Sequence, residues 1–187
     1  MLDVFCYALE GRKCIFADER NKKHLLDCVL NMHEDQNWPV YGFCVTDDAA
    51  YIITAGAESE LRQEAERSMQ LFYNAYEGRL GEDCALRIQV QKICSVDELV
   101  EQCVKLHRLP ILDGYVKNPG DYWWSSYRTY VGGYVWPMVD CSVILQALSM
   151  DEQKAQNKFR AMHRKGTQKS FLMRRAISIP EDNNAEK

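Results

Sequence analysis

Two adjacent aspartates, Asp47 and Asp48, lie between two apolar runs in "CVTDDAAYIIT" and are the most prominent residues that could carry out chemistry. Carboxylate oxygens bind hard cations such as Mg²⁺, so this pair could form a weak magnesium site. Aspartate also favours tight turns, because its side chain accepts hydrogen bonds from nearby backbone N–H groups. We favour the turn, and we expect no bound metal ion or other cofactor.

The remaining candidate catalytic residues form no recognisable set. The four histidines are too widely spaced to form one ligand set, and we expect each to be a single exposed or half-buried residue: His24, His33, His107 and His163. Ser125 and Ser126 lack the Gly-x-Ser-x-Gly pattern of a nucleophilic serine, so we expect helix capping before "YRTY". The eight cysteines include no C-x-x-C pair, which favours reduced, mostly buried thiols over a zinc site or disulfides.

Hydrophobic periodicity predicts the elements that would position these residues. Alternating or continuous apolar runs indicate strands, and apolar residues at intervals of three and four indicate helices. Strands are expected at 2–8, 40–45, 51–54 and 85–93, and helices at 17–35, 58–80 and 95–107. Ser95 and Glu98 fit a capping box at the start of the last of these helices.

The resulting order, β-α-β-β-α-β, is that of an α+β, ferredoxin-like fold with one antiparallel sheet and its helices on one face. We place this domain at residues 1–116. A helical extension follows at 117–176, and we expect residues 177–187 to be a disordered tail. The predicted core comprises Leu25, Val29, Val40, Ile52, Leu61, Phe72, Ile88, Val90, Leu99 and Cys103.

The charge of the chain is unevenly distributed. The net charge is −4, but residues 1–150 hold 14 Lys or Arg against 22 Asp or Glu, which gives −8. Residues 151–175 hold 8 against 2, which gives +6, so any attraction to phosphate groups lies in this segment. No apolar run approaches the ~18 residues of a membrane helix, and we expect a cytoplasmic protein without a membrane partner.

The segment "YWWSSYRTYVGG", residues 122–133, is unusually aromatic. Aromatic side chains contribute much apolar area, so Trp123, Trp124 and Tyr127 are expected to anchor the extension to the sheet domain. The alternative is that they stack on nucleic-acid bases, as aromatic side chains do in proteins that bind single strands.

The same segment resembles the Trp-Ser-Ser-Tyr segment of the single-tyrosine transposase superfamily, in particular its REP-associated branch, which performs DNA strand transfer on a ferredoxin-like fold. Looser matches to other family segments are "CIFADERNKKHLLDCVL", "LPILDGYVKNPGDYWWSSY", "MVDCSVILQAL" and "KFRAMHRKG". The similarity spans residues 1 to about 166, and only the Ser-Ser-Tyr segment is specific. The resemblance implies the same fold and an association with DNA.

The catalytic groups of that family are missing at the matching positions. The family holds its metal ion with a His-hydrophobic-His triplet preceded by Asn. On "VTDDAAYII" the Asn falls on Asp47 and the two histidines on Asp48 and Ala50. The nucleophilic tyrosine falls on Lys105, and residues 103–107 include no tyrosine. The resemblance therefore implies loss of the family's phosphotyrosine chemistry. Lys105 is expected to contact either a phosphate or Glu101, one helical turn earlier.

These observations predict a transposase-like, catalytically inactive DNA-binding protein that binds single-stranded or hairpin DNA and could form a homodimer. The expected DNA contacts are Arg128, Lys158, Arg160, Arg164, Lys165 and Lys169. One alternative is a protein-interaction or structural module without nucleic-acid affinity, because the acidic first 150 residues repel phosphates. Another is an active metal-dependent enzyme with a rearranged site: Asp47, Asp48, Lys105 and His107.

Overall fold

The computed structural model describes residues 3–10, 15–75 and 87–164. The strands are β1 (Asp3–Glu10), β2 (Val40–Val45), β3 (Ala49–Gly56) and β4 (Arg87–Ile93). The helices are α1 (Glu19–Gln36), α2 (Glu58–Ala75), α3 (Val96–Leu112), α4 (Tyr127–Tyr130), α5 (Ser142–Leu148) and α6 (Glu152–Arg164). None of the helices in these ranges is long and apolar enough to cross a membrane. The tail predicted at 177–187 lies outside the described residues.

The four strands form one antiparallel sheet in the order β2-β3-β1-β4. This confirms the predicted α+β, ferredoxin-like arrangement, with α1 between β1 and β2 and α2 between β3 and β4. All eight residues of β3 are buried. Because successive side chains of a strand point to opposite faces, both faces of the sheet must be covered.

Different helices cover the two faces of the sheet. Phe5 of β1 packs against Leu61 of α2, and α1 lies beside α2. Gly42 of β2 packs against α3, where an added Cβ atom would lie 3.2 Å from the sulfur of Cys103. The residues of β3 that pair with Phe5 and Gly42 are neighbours in the strand, so the two point to opposite faces. The sheet is therefore enclosed between α1 and α2 on one side and α3 on the other.

The predicted core is largely confirmed. Eight of its ten members are buried, including Leu25, Leu61 and Phe72. Ile88 and Val90 are only half-buried because they belong to β4, an edge strand of the sheet. The helix predicted at 58–80 is described as far as Ala75.

The start of α3 follows the predicted capping pattern with one change. The hydroxyl of Ser95 accepts a hydrogen bond of 3.1 Å from the backbone N–H of Glu98. The Glu98 carboxylate in turn accepts from the backbone N–H of Cys94, at 2.8 Å, instead of that of Ser95. The helix ends at Leu112, beyond its predicted end, and Pro110 lies in its last turn.

Residues 122–140, which we call the edge cover, satisfy the outer edge of β2. The backbone N–H of Val45 donates to the carbonyl of Trp124 at 2.9 Å, and that of Ser126 donates to the carbonyl of Phe43 at 3.0 Å. At the other end of the strand, the N–H of Asp140 donates to the Val40 carbonyl at 2.8 Å. An edge strand exposes unpaired backbone groups that other chains can join. The extension removes this exposure at β2.

Candidate functional site

The "TDDA" segment between β2 and β3 is a tight turn, as the sequence predicts. The backbone N–H of Thr46 donates to the carbonyl of Ala49 at 2.8 Å, and the N–H of Ala49 donates to the Thr46 hydroxyl at 3.2 Å. The carbonyl of Asp47 accepts from the N–H of Phe16 at 2.9 Å. The turn is thus held both internally and by the segment that precedes α1.

The Asp47 carboxylate binds a buried ammonium group. Its Oδ1 atom lies 2.6 Å from Nζ of Lys22, a side chain of α1 that is only 6% exposed. The same ammonium lies 5.9 Å from the centre of the Tyr122 ring. Asp48 is exposed to solvent. In the described part of the chain, no three His, Cys, Asp or Glu residues are grouped so that they could hold a metal ion.

The family positions at Ala50 and Lys105 are not brought together. Ala50 lies two residues from Ile52 and four from Thr54 in β3, so all three point to the face that Phe5 shares with α2. Lys105 belongs to α3, on the other face of the sheet. It is buried, and its Nζ atom lies 2.8 Å from the Glu101 carboxylate. The ion pair between Lys105 and Glu101 that the sequence suggests is present.

Sequence reasoning missed Tyr115, which lies beside the turn. Its hydroxyl accepts a hydrogen bond of 3.3 Å from the backbone N–H of Asp47. Burial raises the pKa of the phenol, and the nearby carboxylates of Asp47, Asp48 and Asp113 raise it further, although the hydrogen bond from Asp47 lowers it. These surroundings oppose formation of the phenolate that a tyrosine nucleophile needs. No local pattern in "LDGYVK" indicates this contact, since it depends on the path of the chain after α3.

Ser126 contradicts the expectation of helix capping. It precedes α4, but its side chain makes no capping hydrogen bond. Instead, the Ser126 hydroxyl accepts from the N–H of Phe43 at 2.9 Å and lies 2.7 Å from Nε2 of His107. The edge of β2 and a buried imidazole are better partners here, because neither can reach water. Ser125, in contrast, accepts only a long bond of 3.4 Å from the N–H of Tyr127.

His107 and His163 are buried, contrary to the expectation of exposed or half-buried histidines. Their rings stack at 5.6 Å between α3 and α6 and are enclosed by the rings of Tyr127, Tyr130 and Phe159. Burial lowers the pKa of both imidazoles, that of His163 to about 4. Both are therefore neutral at pH 7. His24 is half-buried, as expected, and the side chain of His33 lies outside the described residues.

The basic side chains of the extension bind backbone carbonyls. Nε of Arg128 donates to the carbonyl of Gly120 at 2.8 Å, and Nζ of Lys158 donates to that of Leu148 at 2.7 Å. The guanidinium of Arg160 donates to the carbonyl of Val131. Arg164 is exposed at the end of α6. Lys165 and Lys169 lie outside the described residues.

These four cations differ from many others in the chain because none of them is paired with a carboxylate of the described residues. Within the ranges that the structure describes, no carboxylate lies within 4.0 Å of Arg128, Lys158, Arg160 or Arg164. Carboxylates do lie within that distance of Arg20, Lys22, Lys23, Arg62, Arg67, Lys92, Lys105 and Lys154. Among the described residues, the positive charge of these four side chains is therefore not neutralised by neighbouring carboxylates.

Three aromatic rings lie together beside Arg128, and we call them the aromatic platform: Trp123, Tyr134 and Trp136. Their ring centres are 4.8 to 5.9 Å apart. Trp123 and Tyr134 are 40% and 45% exposed, whereas Trp136 is half-buried against Phe43. The Arg128 guanidinium lies 5.0 Å from the centre of the Trp123 ring. Of the aromatic residues expected to anchor the extension, Tyr127 is buried, Trp124 is half-buried and Trp123 is exposed.

Among solved structures, the fold is similar to that of a REP-associated tyrosine transposase bound to a REP hairpin. The TM-score is 0.57 at 14% sequence identity, and the match covers 75% of this chain and 90% of that chain. Similarity at this level of identity shows a common fold. No protein-family model matches the sequence, and no curated protein matches it.

Proposed function

We propose that this protein binds single-stranded or hairpin DNA and does not cleave it through a tyrosine. The observation that carries the proposal is a set of four cations that have no carboxylate partner within the described part of the chain: Arg128, Lys158, Arg160 and Arg164. A cation that is already paired with a carboxylate gains little electrostatic free energy when it binds a phosphate. An unpaired cation gains the full electrostatic attraction. The fold shared with a transposase bound to a DNA hairpin agrees with this choice of partner.

The distribution of charge restricts where DNA would bind. Residues 1–150 carry −8 and repel a phosphate backbone, while residues 151–175 carry +6. The carbonyl contacts of Arg128 and Arg160 fix the position of each guanidinium but use only some of its five donors. The remaining donors are available to phosphate oxygens. The extension is therefore the proposed DNA-binding part of the chain.

Loss of strand cleavage is proposed on chemical grounds. Attack on a phosphodiester by the family mechanism needs a phenolate, and storing the bond needs a phosphotyrosine. Lys105 cannot supply either group and is paired with Glu101. Asp48 and Ala50 carry no imidazole, and Asp47 is bound by Lys22. The rearranged enzyme considered above would need Asp47, Asp48, Lys105 and His107 in one site. However, His107 is fully buried, Asp47 is paired with Lys22 and Lys105 is paired with Glu101.

Affinity for a DNA hairpin is expected to fall with salt at a log–log slope of about −3, because four phosphate contacts on single-stranded segments contribute about 0.7 each. Replacing Lys158, Arg164 and Lys165 together with glutamine should weaken binding about fivefold and flatten this slope. Arg160 is left unchanged because it holds the carbonyl of Val131. Fluorescence anisotropy titrations at several salt concentrations measure both effects.

The matched control removes the same number of positive charges elsewhere. Arg62, Arg67 and Lys92 are exposed and paired with carboxylates, so their replacement with glutamine should change the affinity less than twofold or so. Equal weakening by both triple variants would mean that only net charge matters. Wild-type binding that is undetectable at low salt would contradict the proposal and favour the protein-interaction module.

No covalent adduct is expected when the protein is incubated with hairpin DNA and Mg²⁺ or Mn²⁺, because no activated phenol is present near the turn. Denaturing gel electrophoresis of labelled DNA checks this. Tyr115 is the phenol beside Asp47, so the Tyr115→Phe variant is the matched control. An adduct that forms on wild type and disappears in Tyr115→Phe would show a rearranged enzyme and overturn this part of the proposal.

A further inference from the structure

Two of the three rings of the aromatic platform expose a large part of their apolar surface to solvent. Trp136 contributes to the fold, because its ring meets that of Phe43 edge-on at 5.2 Å and so covers part of β2. Trp123 and Tyr134 lie outside it, each with about two-fifths of its surface in solvent. Val135, which lies between two of the rings in sequence, is 63% exposed. Clustered exposed apolar side chains of this kind mark binding surfaces.

The spacing of the rings indicates the shape of a partner. The three ring centres are 4.8, 5.1 and 5.9 Å apart, so the rings of Trp123, Tyr134 and Trp136 are already in mutual contact. No group can therefore enter between the rings, as a quaternary ammonium would in an aromatic cage. A flat group can still lie against the exposed parts of Trp123 and Tyr134.

The charge beside the rings indicates the chemistry of the partner. Arg128 lies over Trp123, and Arg160 holds the carbonyl of Val131, at the start of the loop that carries Tyr134. Neither guanidinium has a carboxylate partner among the described residues. A flat aromatic group linked to a phosphate fits both features, and a nucleotide has this composition. A proline-rich peptide would use the rings but has no anion for the two cations.

We propose that Trp123 and Tyr134 stack on unpaired bases of bound DNA, while Arg128 and Arg160 contact the phosphates on either side. This inference rests on the proposed function and specifies which part of the DNA meets the aromatic platform. Bases inside a duplex have their faces covered by their neighbours, so only unpaired bases can stack in this way.

Two probes test the inference: a blunt hairpin whose loop is a glycol linker without bases, and the same hairpin with a short unpaired thymidine extension. Replacing Trp123 with alanine should weaken binding of the extended hairpin about tenfold and change binding of the blunt hairpin less than about twofold. Trp123→Phe should retain most of the affinity, because a phenyl ring still stacks. Tyr134→Ala should act like Trp123→Ala, and Leu112→Ala, at another exposed apolar side chain, should have no effect.

The outcomes separate this inference from the proposed function. If wild type binds both probes equally, or if Trp123→Ala and Tyr134→Ala weaken both equally, base stacking is overturned while DNA binding stands. If wild type binds neither probe at low salt, DNA binding fails and the inference fails with it. Thermal melting shows whether each variant is folded. If Trp123→Ala does not fold, the binding of Tyr134→Ala to the two probes tests base stacking instead.

Discussion

Replacing Ser126 with alanine is expected to lower the free energy of unfolding by about 3 kcal/mol, although it removes a single oxygen atom. That oxygen accepts from the N–H of Phe43 and lies 2.7 Å from Nε2 of His107, and all three residues are fully buried. Alanine would leave the buried N–H of Phe43 without this acceptor and, among the described residues, would leave His107 Nε2 with only the sulfur of Cys103, 4.0 Å away. Each buried polar group left in this way costs about 1 to 3 kcal/mol. Urea denaturation followed by circular dichroism measures the change.

Ser125 provides the matched control because it is the adjacent residue and is equally buried. Among the described residues, its hydroxyl makes a single long hydrogen bond, so Ser125→Ala should cost about 1 kcal/mol or less. Similar losses in the two variants would contradict the role given to Ser126. A loss confined to Ser126→Ala would show that the edge of β2 and His107 depend on this hydroxyl.

Stability is expected to fall between pH 6.5 and pH 4, by about 3 kcal/mol from His163 alone. The pKa of His163 is lowered to about 4, mainly by burial and to a smaller extent by the cation of Arg108, against the opposing effect of the hydrogen bond to the Phe159 carbonyl. In this pH range the unfolded chain binds a proton that the folded protein does not. The unfolded state is therefore favoured progressively as the pH falls. His107, whose pKa is also lowered, adds to the effect.

The His163→Leu variant isolates this contribution. Leucine keeps an apolar side chain between Tyr127 and Phe159 and cannot be protonated, so the difference in unfolding free energy between pH 7 and pH 4 should be about 3 kcal/mol smaller than in wild type. His24→Gln, on α1, is the control for a histidine outside this interface. A wild-type pH dependence that survives in His163→Leu would contradict the assignment and place the titrating group elsewhere.

The fold was predictable because its determinants are local. The alternation of Ile88 and Val90 with polar residues and the helical spacing of Leu25 and Val29 lie within a few neighbours in sequence. The Ser95 cap likewise depends on a residue three positions away. These local signals were sufficient to predict the order of strands and helices. That order was in turn sufficient to predict the antiparallel sheet.

The candidate site could be predicted only in part, because its contacts are distant in sequence. The pairing of Lys22 with Asp47 spans 25 positions and that of Asp47 with Tyr115 spans 68. Ser126 resembled a helix cap because it precedes α4, and nothing in "WWSSY" shows that a strand edge competes for its hydroxyl. Buried histidines could not be recognised either, since the rings that enclose His107 come from α4 and α6.

The separation in sequence between β2 and the edge cover determines when the outer edge of β2 can be covered during translation. Phe43 and Ser126 are 83 positions apart, so the ribosome synthesises all four strands and α3 before the first covering residues emerge. During this interval the nascent sheet presents open backbone donors and acceptors along β2. Such groups are where nascent chains join one another or recruit chaperones. The last backbone hydrogen bond along this edge becomes available only with Asp140.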